Sequence, residues 1–422
     1  MVLVALAIRL VVMGFLYPEQ LDPERDHWRF GYENGRLARS IAEGRGFSSP
    51  LFEDTGPSAW MTPVYPYMIA GVFKVFGIYS TASAFVLLSI QALISALTCL
   101  PIFFIARKLF GERAALWSGW AWVLFPYGIY FPVERIWGTW LSTLLVTILF
   151  LISLHLENST RVWHWVGFGV LWGFAALNEP AIMAAWPFMA GWSCYHLHRR
   201  KLRWAAPLLA SVLALIVVVT PWFVRNYAVF GRVIPFRDTL GLELYVGNNG
   251  DLSHWHPYWS GPWHNPAEWQ AFKDLGEVRF MEWDKQRGIA FIRSHPLWFA
   301  VATVRRFGYI WTGFWSFDKQ YLAGEPLDPP NVLMCTALTI LALVGLRRVW
   351  RKNSALGIYF ALVLFFFPLV FYLTHPEVYA RRQIDPLILV LAVYALLRNA
   401  DDPSRAVPEL QSQPLASSSN SP

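Results

Sequence analysis

Long apolar runs separated by short polar loops constrain this chain more than any other feature. A hydrocarbon core about 30 Å thick takes roughly 20 residues of helix to cross, and runs close to that length recur along most of the sequence. The sequence predicts spans at 2–17, 81–106, 113–131, 138–156, 162–178, 180–197, 204–222, 331–347, 355–374 and 384–398. The predicted fold class is therefore an all-α polytopic membrane protein with about ten transmembrane helices.

The composition supports this class. Charged residues make up 15% of the chain, against about a quarter in soluble domains. The 23 Trp, 17 Tyr and 31 Phe fit a membrane protein, because aromatic rings settle at the membrane–water interface. Met1 leads straight into an apolar run without the basic start and cleavage site of a signal peptide. The net charge of +7 falls mostly in short loops, so topology accounts for it and no nucleic-acid partner is expected.

The basic loops predict the orientation, since Lys and Arg concentrate in cytoplasmic loops. Loops that are basic and poor in acids all fall on one predicted side: Arg107, Lys108 and Arg113, then Arg161, then Arg199, Arg200, Lys201 and Arg203, then Arg347, Arg348, Arg351 and Lys352. That side is the cytoplasm, and both termini lie there. We therefore expect a multi-pass protein of the inner (cytoplasmic) membrane whose active site faces the periplasm or exterior.

Residues 1–398 are predicted to form one membrane domain. It has an outer loop at 17–62 with an amphipathic helix at 31–42, and a long outer segment at 223–330. That segment is far longer than a connector needs to be. It contains a predicted helix at 266–294 and an interfacial helix at 295–316. The tail at 399–422, rich in Ser, Pro and Gln, is predicted to be disordered and cytoplasmic.

Acidic residues cluster in the first outer loop, at Asp22, Glu24, Asp26 and Glu33. A solvated charge face accounts for any one of the first three. Glu33 is flanked by aromatic residues and is expected well inside the amphipathic helix, which favours a functional role. Glu134, in FPVERIWGTW, either complements a helix dipole or acts as a second carboxylate. In that role it would hold a divalent cation or an acceptor hydroxyl.

Basic residues also appear on the outer side, against the usual charge distribution. Arg225 follows an aromatic anchor, where its planar fork suits a phosphate, although interfacial snorkelling explains it as well. Tyr379, Arg381 and Arg382 form a second cationic patch before the last span. His254, His256 and His264 match no zinc spacing, and the cysteines all lie in apolar runs, so neither a zinc site nor a disulfide framework is indicated.

Taken in order, several segments resemble one family. They are ARSIAEGRGFSSP, TPVYPYMIAGVFKVFG, ARKLFGERAALWSGWAWVLFPYGIYF, TPWFVRNYAVFGRVIPFRDTLGLELYVGNN and YARRQIDPLI. The chain resembles bacterial GT-C fold membrane glycosyltransferases of the protein-mannosyltransferase and aminoarabinose-transferase type. This resemblance implies a sugar transferase that uses a polyprenyl-phosphate-linked donor at the outer membrane face. The acceptor would be a lipid, a protein or a polysaccharide.

The resemblance also implies roles for particular residues. The catalytic acid would be Glu33, with Asp26 as runner-up and Glu134 as a second acid, and Glu33 and Glu134 would hold a divalent metal ion if one is used. Arg225, Arg381 and Arg382, with Tyr379 beside them, would hold the donor phosphate. The chain departs from the family pattern in two places. Phe30–Gly31 stands where an Asp–Glu pair is frequent, and Gly138 stands where a second acid often precedes Thr139.

A polytopic transporter or flippase for a lipid-linked or anionic substrate is the competing hypothesis. It would share the spans and the outer basic patches. It would also be expected to carry functional charges in mid-span, whereas Arg9 is the deep charge that the sequence shows.

Overall fold

The computed structural model of the chain describes residues 1–20, 30–250, 260–314, 328–374 and 381–397. Regular structure within these ranges is helical, apart from an isolated bridge between Ser48 and Pro57. The helices are α1 (Val2–Gln20), α2 (Glu33–Ala42), α3 (Val64–Phe76), α4 (Thr81–Leu97), α5 (Cys99–Phe110), α6 (Glu112–Val123), α7 (Pro126–Glu134), α8 (Thr139–Leu156), α9 (Val162–Asn178), α10 (Trp186–Arg199), α11 (Ala205–Phe230), α12 (Leu240–Gly247), α13 (Pro266–Leu275), α14 (Glu277–Ser294), α15 (Pro296–Thr312), α16 (Asp328–Lys352), α17 (Ser354–Phe366), α18 (Leu369–Leu373) and α19 (Asp385–Leu396).

Four helical stretches in the described part of the chain are long and apolar enough to cross a membrane. They are Thr81–Phe110, which α4 and α5 form together, then α8, α11 and the Asn331–Lys352 part of α16. Shorter apolar helices accompany them at α1, α3, α17 and α19. The all-α polytopic membrane class is thus confirmed. Several of the ten predicted spans, however, are shorter or broken rather than continuous.

Proline accounts for the breaks. The predicted span at 113–131 is wrong as a single helix, because α6 ends at Val123 and Phe125 is extended before Pro126 starts α7. Proline lacks an N–H and disfavours helical backbone at the residue before it. The predicted span at 355–374 is also divided, between α17 and α18 around Pro368, although Phe367 before this proline keeps helical backbone angles.

Arg9, the deep charge of the first span, is fully buried and bonded within the bundle. Its Nε donates to Ser95 Oγ at 2.9 Å, Nη1 to the Ala5 carbonyl at 2.9 Å and Nη2 to the Trp122 carbonyl at 3.4 Å. It therefore ties α1 to α4 and α6. A charge held in this way is a structural link rather than part of a transport path.

Close backbone contact joins α9 to α11. A Cβ at Gly169 of α9 would lie 2.0 Å from the Ser211 carbonyl oxygen of α11, so only glycine permits this approach. Small residues at such crossings bring helices together where lipid gives no hydrophobic driving force. The neighbouring Trp165 and Trp172 are completely buried in the main apolar core.

The parts of the long outer segment that the structure describes are largely helical. Helix α11 continues to Phe230, beyond its predicted end at 222, and the predicted helix at 266–294 divides at Gly276 into α13 and α14. Trp60, from the first outer loop, packs into one apolar cluster with Phe272, Phe280 and other residues of this segment. This cluster fixes the outer segment over the first outer loop.

Candidate functional site

The first outer loop turns sharply just before α2. Gly31 has φ +87°, and a Cβ there would lie 2.7 Å from the Ile136 carbonyl oxygen. Tyr32 also has a positive φ, 48°. Helix α2 begins at Glu33, so the expectation that Glu33 lies well inside the helix is wrong, because the turn delays the helix start past Gly31. The turn also packs this loop against the one that follows α7.

Glu33 is a buried carboxyl group at the start of α2, with 6% of its surface exposed. Its Oε1 accepts a hydrogen bond from Nε1–H of Trp263, at 2.6 Å. Burial raises the pKa of Glu33, while its own backbone N–H, the charge of Arg36 and the Trp263 bond oppose that rise. The arrangement gives a stronger base than an exposed glutamate, held in one place, which suits proton abstraction.

Arg36 lies one turn after Glu33, and the sequence pattern does not single it out. Its guanidinium carbon is 4.6 Å from the centroid of the Phe52 ring, and the residue is 9% exposed. Its Nη1 has no hydrogen-bond acceptor among the residues that the structure describes. Burying a cation without such a bond is costly, so this nitrogen is available to an anionic group beside the Glu33 carboxylate.

The second acid near Glu33 is Glu243 of α12, which no sequence pattern indicated. Its charge acts with burial in raising the pKa of Glu33. Glu134 is buried at the end of α7, where its carboxylate accepts bonds of 2.5 Å from Nε and 3.0 Å from Nη2 of Arg135. The loops of Glu33 and Glu134 meet at Gly31. The two carboxylates nevertheless bond to different donors.

For a metal ion, the described residues contain no group of three or more His, Cys, Asp or Glu side chains that could act as ligands. Asp26, the runner-up for the catalytic acid, lies outside the described residues. The predicted metal role of Glu33 with Glu134 stays a prediction.

Gln91 of α4 shapes the second outer loop, residues 135–138 between α7 and α8. Its Oε1 accepts from the Tyr65 hydroxyl and from the Trp137 backbone N–H, both at 2.6 Å. Its Nε2 donates to the carbonyl oxygens of Pro132 at 2.8 Å and Arg135 at 2.9 Å. The three backbone groups among these lack helical partners because α7 ends at Glu134. One buried amide thus holds the end of α7 in place.

Arg381 and Arg382 are buried in the bundle before α19. Nε of Arg381 donates to Asp385 Oδ1 at 2.9 Å, and Nη1 donates to the carbonyls of Trp311 at 2.7 Å and Cys335 at 3.0 Å. Its Nη2 is buried and meets no acceptor within the described ranges. The Arg382 guanidinium carbon lies 3.3 Å from the centroid of the Phe131 ring of α7. Tyr379 lies outside the described residues.

Helix α7 therefore touches both halves of the predicted site. Phe131 contacts Arg382, and Ile136, just past the helix end, contacts Gly31 beside Glu33. Phe131 lies within α7, and Ile136 lies in the short loop that follows it. Arg382 and the first outer loop thus contact positions that are close in the chain, on α7 and just after it.

Arg225, in contrast, bonds to the backbone of the first outer loop. Its Nη1 donates to the Ser58 carbonyl at 2.6 Å and to Asn226 Oδ1 at 2.9 Å, and Nη2 donates to the Phe47 carbonyl at 2.8 Å. Its guanidinium carbon lies 5.0 Å from the centroid of the Trp222 ring. The structure gives Arg225 a role in holding the loop, and its predicted role at a phosphate stays a prediction.

Comparison with known proteins identifies the class of fold. Residues 60–223 match the family model of the dolichyl-phosphate-mannose-protein mannosyltransferases. The chain is similar in structure to the archaeal oligosaccharyltransferase AglB from Archaeoglobus fulgidus in complex with an inhibitory peptide and a dolichol-phosphate. The TM-score is 0.50 and the sequence identity 14%, over 94% of this chain and 49% of that chain. The resemblance to GT-C fold membrane glycosyltransferases is thereby confirmed.

Two further solved structures are similar. AglB in complex with Zn and sulfate matches with a TM-score of 0.50 and 13% identity, over 93% of this chain and 48% of that chain. ArnT from Cupriavidus metallidurans bound to undecaprenyl phosphate matches with a TM-score of 0.40 and 13% identity, over 93% of this chain and 76% of that chain. The chain spans about half the length of the AglB chains. No protein of curated function matches it in sequence.

Proposed function

We propose that this protein is a glycosyltransferase that moves a sugar from a polyprenyl-phosphate-linked donor to an acceptor at the outer face of the cytoplasmic membrane. The main support for this proposal is the environment of Glu33. Its carboxyl group is buried at the start of α2, has a raised pKa and accepts a hydrogen bond from the outer segment. The families that the chain resembles are glycosyltransferases. The structure of AglB is of a complex with a dolichol-phosphate, which supports a lipid-phosphate donor here.

In the proposed reaction, an acceptor hydroxyl or amine attacks the anomeric carbon of the donor sugar. The bond from that carbon to the phosphate oxygen breaks, and the oxygen leaves with the electron pair as part of polyprenyl phosphate. The new bond joins the acceptor atom to the anomeric carbon, and the acceptor's proton passes to Glu33. Such acid–base assistance is typically worth about 10²–10⁴-fold in rate.

The departing phosphate needs cationic or hydrogen-bonding partners. Arg381 supports this role, because its Nη2 is a buried donor whose other nitrogens are already fixed by Asp385 and by two carbonyls. Arg382 lies beside it. Arg225 and Tyr379 complete the proposed set. A divalent ion held by Glu33 and Glu134 would serve the same need.

The outer location is proposed from the charge of the loops. The basic, acid-poor loops support an orientation in which the opposite side of the bundle, with α2 and the outer segment, faces away from the cytoplasm. In that orientation a donor carried by a membrane lipid would reach Glu33 from the outer leaflet. The acceptor would be a lipid, a protein or a polysaccharide of the cell envelope.

The test is release of polyprenyl phosphate by the purified protein in liposomes, with polyprenyl-phosphate hexose and pentose donors and a cell-envelope extract as acceptor. A transferase releases the lipid phosphate in step with incorporation of labelled sugar into the extract. A transporter or flippase would move the donor across the bilayer and leave its phosphoester intact. Donor movement without phosphate release would therefore overturn the proposal.

A further inference from the structure

The outer segment brings Trp263 to the first outer loop, although the two residues that bond, Glu33 and Trp263, are 230 positions apart in the chain. The Trp263 ring packs edge-on against Trp60, with ring centroids 5.6 Å apart and an interplanar angle of 90°. Trp60 is 2% exposed and packs in turn against Phe272 of α13, at 5.8 Å. The indole is thus held by two residues of the first outer loop, the Trp60 ring and the Glu33 carboxylate.

The chemistry of this contact is directional. An indole N–H donates a hydrogen bond and cannot accept one. A donor at 2.6 Å from Oε1 therefore favours the ionised form of Glu33, as charge-assisted bonds do. It also fixes the carboxylate, because Oε1 is engaged by the indole.

We propose that Trp263 is a positioning residue for Glu33, which the outer segment supplies so that the carboxylate is presented to the acceptor as a base. The inference rests on the proposed function, in which Glu33 takes the acceptor's proton. It gives the outer segment a part in the reaction, since this segment carries both Trp263 and the α13 residue that packs behind Trp60.

Trp269 offers a matched control. It belongs to the same aromatic cluster and stacks on Phe272, with ring centroids 5.7 Å apart and an interplanar angle of 11°. Its other described ring contacts are with Phe52 and Lys273. Replacing Trp269 with Phe therefore disturbs the cluster to a similar extent and leaves the bond to Glu33 in place.

The first experiment compares Trp263→Phe, Trp269→Phe and the unmodified protein through the pH dependence of kcat/KM for sugar transfer. Loss of a hydrogen bond to an ionised group is expected to move the acidic limb of the Trp263→Phe profile up by about one pH unit. Below both pKa values that shift is a tenfold loss of rate. Trp269→Phe is expected to keep the unmodified limb. An unmoved limb in Trp263→Phe, or an equal shift in Trp269→Phe, would overturn the inference.

The second experiment does not depend on activity. With 5-fluorotryptophan incorporated, the ¹⁹F resonance that disappears in Trp263→Phe belongs to Trp263. That resonance is expected to titrate with pH in the unmodified protein and to lose the titration in Glu33→Gln. If its chemical shift changes neither with pH nor in Glu33→Gln, Trp263 does not interact with Glu33 and the inference fails. If instead no donor supports transfer while the resonance titrates, the proposed function fails and the contact stands.

Discussion

Replacing Arg225 with Met separates the structural role of this arginine from its predicted role at a phosphate. The substitution keeps the apolar stem and removes the guanidinium, which donates to the carbonyl oxygens of Ser58 at 2.6 Å and Phe47 at 2.8 Å. Both carbonyls belong to the buried part of the first outer loop. The loop is therefore expected to open more often even when no donor is present.

The magnitude follows from the two bonds. A hydrogen bond to a charged group contributes about 1.5 kcal/mol at the lower end of its range, so losing both costs the loop about 3 kcal/mol. At about 1.4 kcal/mol for each factor of ten, local opening becomes roughly 150-fold more frequent.

Hydrogen–deuterium exchange of the loop measures this opening directly. The amides of Ser49 and Ser58 are suitable reporters, because they bond to the carbonyls of Gly56 and Phe47. Arg232→Met is the control, since Arg232 is exposed just beyond the same helix. Unchanged exchange at both amides in Arg225→Met would contradict a loop-anchoring role and leave the phosphate role as the better explanation of Arg225.

Two further predictions concern groups that hold the outer face together. Asp238 and Glu277 are neighbouring buried acids; burial raises the pKa of Asp238 to about 7, above its unfolded value of about 4. The neutral Asp238 carboxyl therefore makes its full contribution to the free energy of unfolding below about pH 4. This contribution is lost as the pH rises through about 7. The thermal unfolding midpoint is therefore expected to fall as the pH rises from about 4 to about 7. The unfolding midpoint of Asp238→Asn should depend less on pH than that of the unmodified protein, whereas substitution of the exposed Asp274 by Asn should leave this dependence unchanged. An equal pH dependence in both variants would contradict the role of Asp238. Gln91→Leu leaves several buried polar groups of the second outer loop unsatisfied, at about 1–3 kcal/mol each. Protease cleavage of that loop is expected to accelerate at least tenfold, and an unchanged rate would count against Gln91 as its anchor.

The sequence was sufficient for the fold class, because apolar runs of membrane-spanning length allow few alternatives. It also located α2 to within two residues and identified Glu33 as a candidate from its aromatic neighbours. It did not predict that the runs at 113–131 and 355–374 are divided. Pro126 and Pro368 were visible there, but hydropathy averaged over a window hides a single proline.

The partners of the site residues could not be predicted, because they come from distant parts of the chain. Nothing near Glu33 in the sequence indicates Trp263. Arg225 illustrates the same limit: a basic residue after an aromatic anchor fits a phosphate site and a loop anchor equally well. The loop carbonyls that its guanidinium meets are 167 and 178 positions away. Position in the fold, rather than residue type, decides between such roles.

The most direct test of the account is the single-turnover rate of polyprenyl phosphate release in Glu33→Gln. Glu43→Gln is its matched control, because Glu43 lies at the exposed end of the same helix and bonds to Arg45. If Glu33 is the base, the rate is expected to fall about 10²–10⁴-fold in Glu33→Gln and to stay close to that of the unmodified protein in Glu43→Gln. A Glu33→Gln rate within a few-fold of the unmodified protein would contradict the claim that Glu33 is the base.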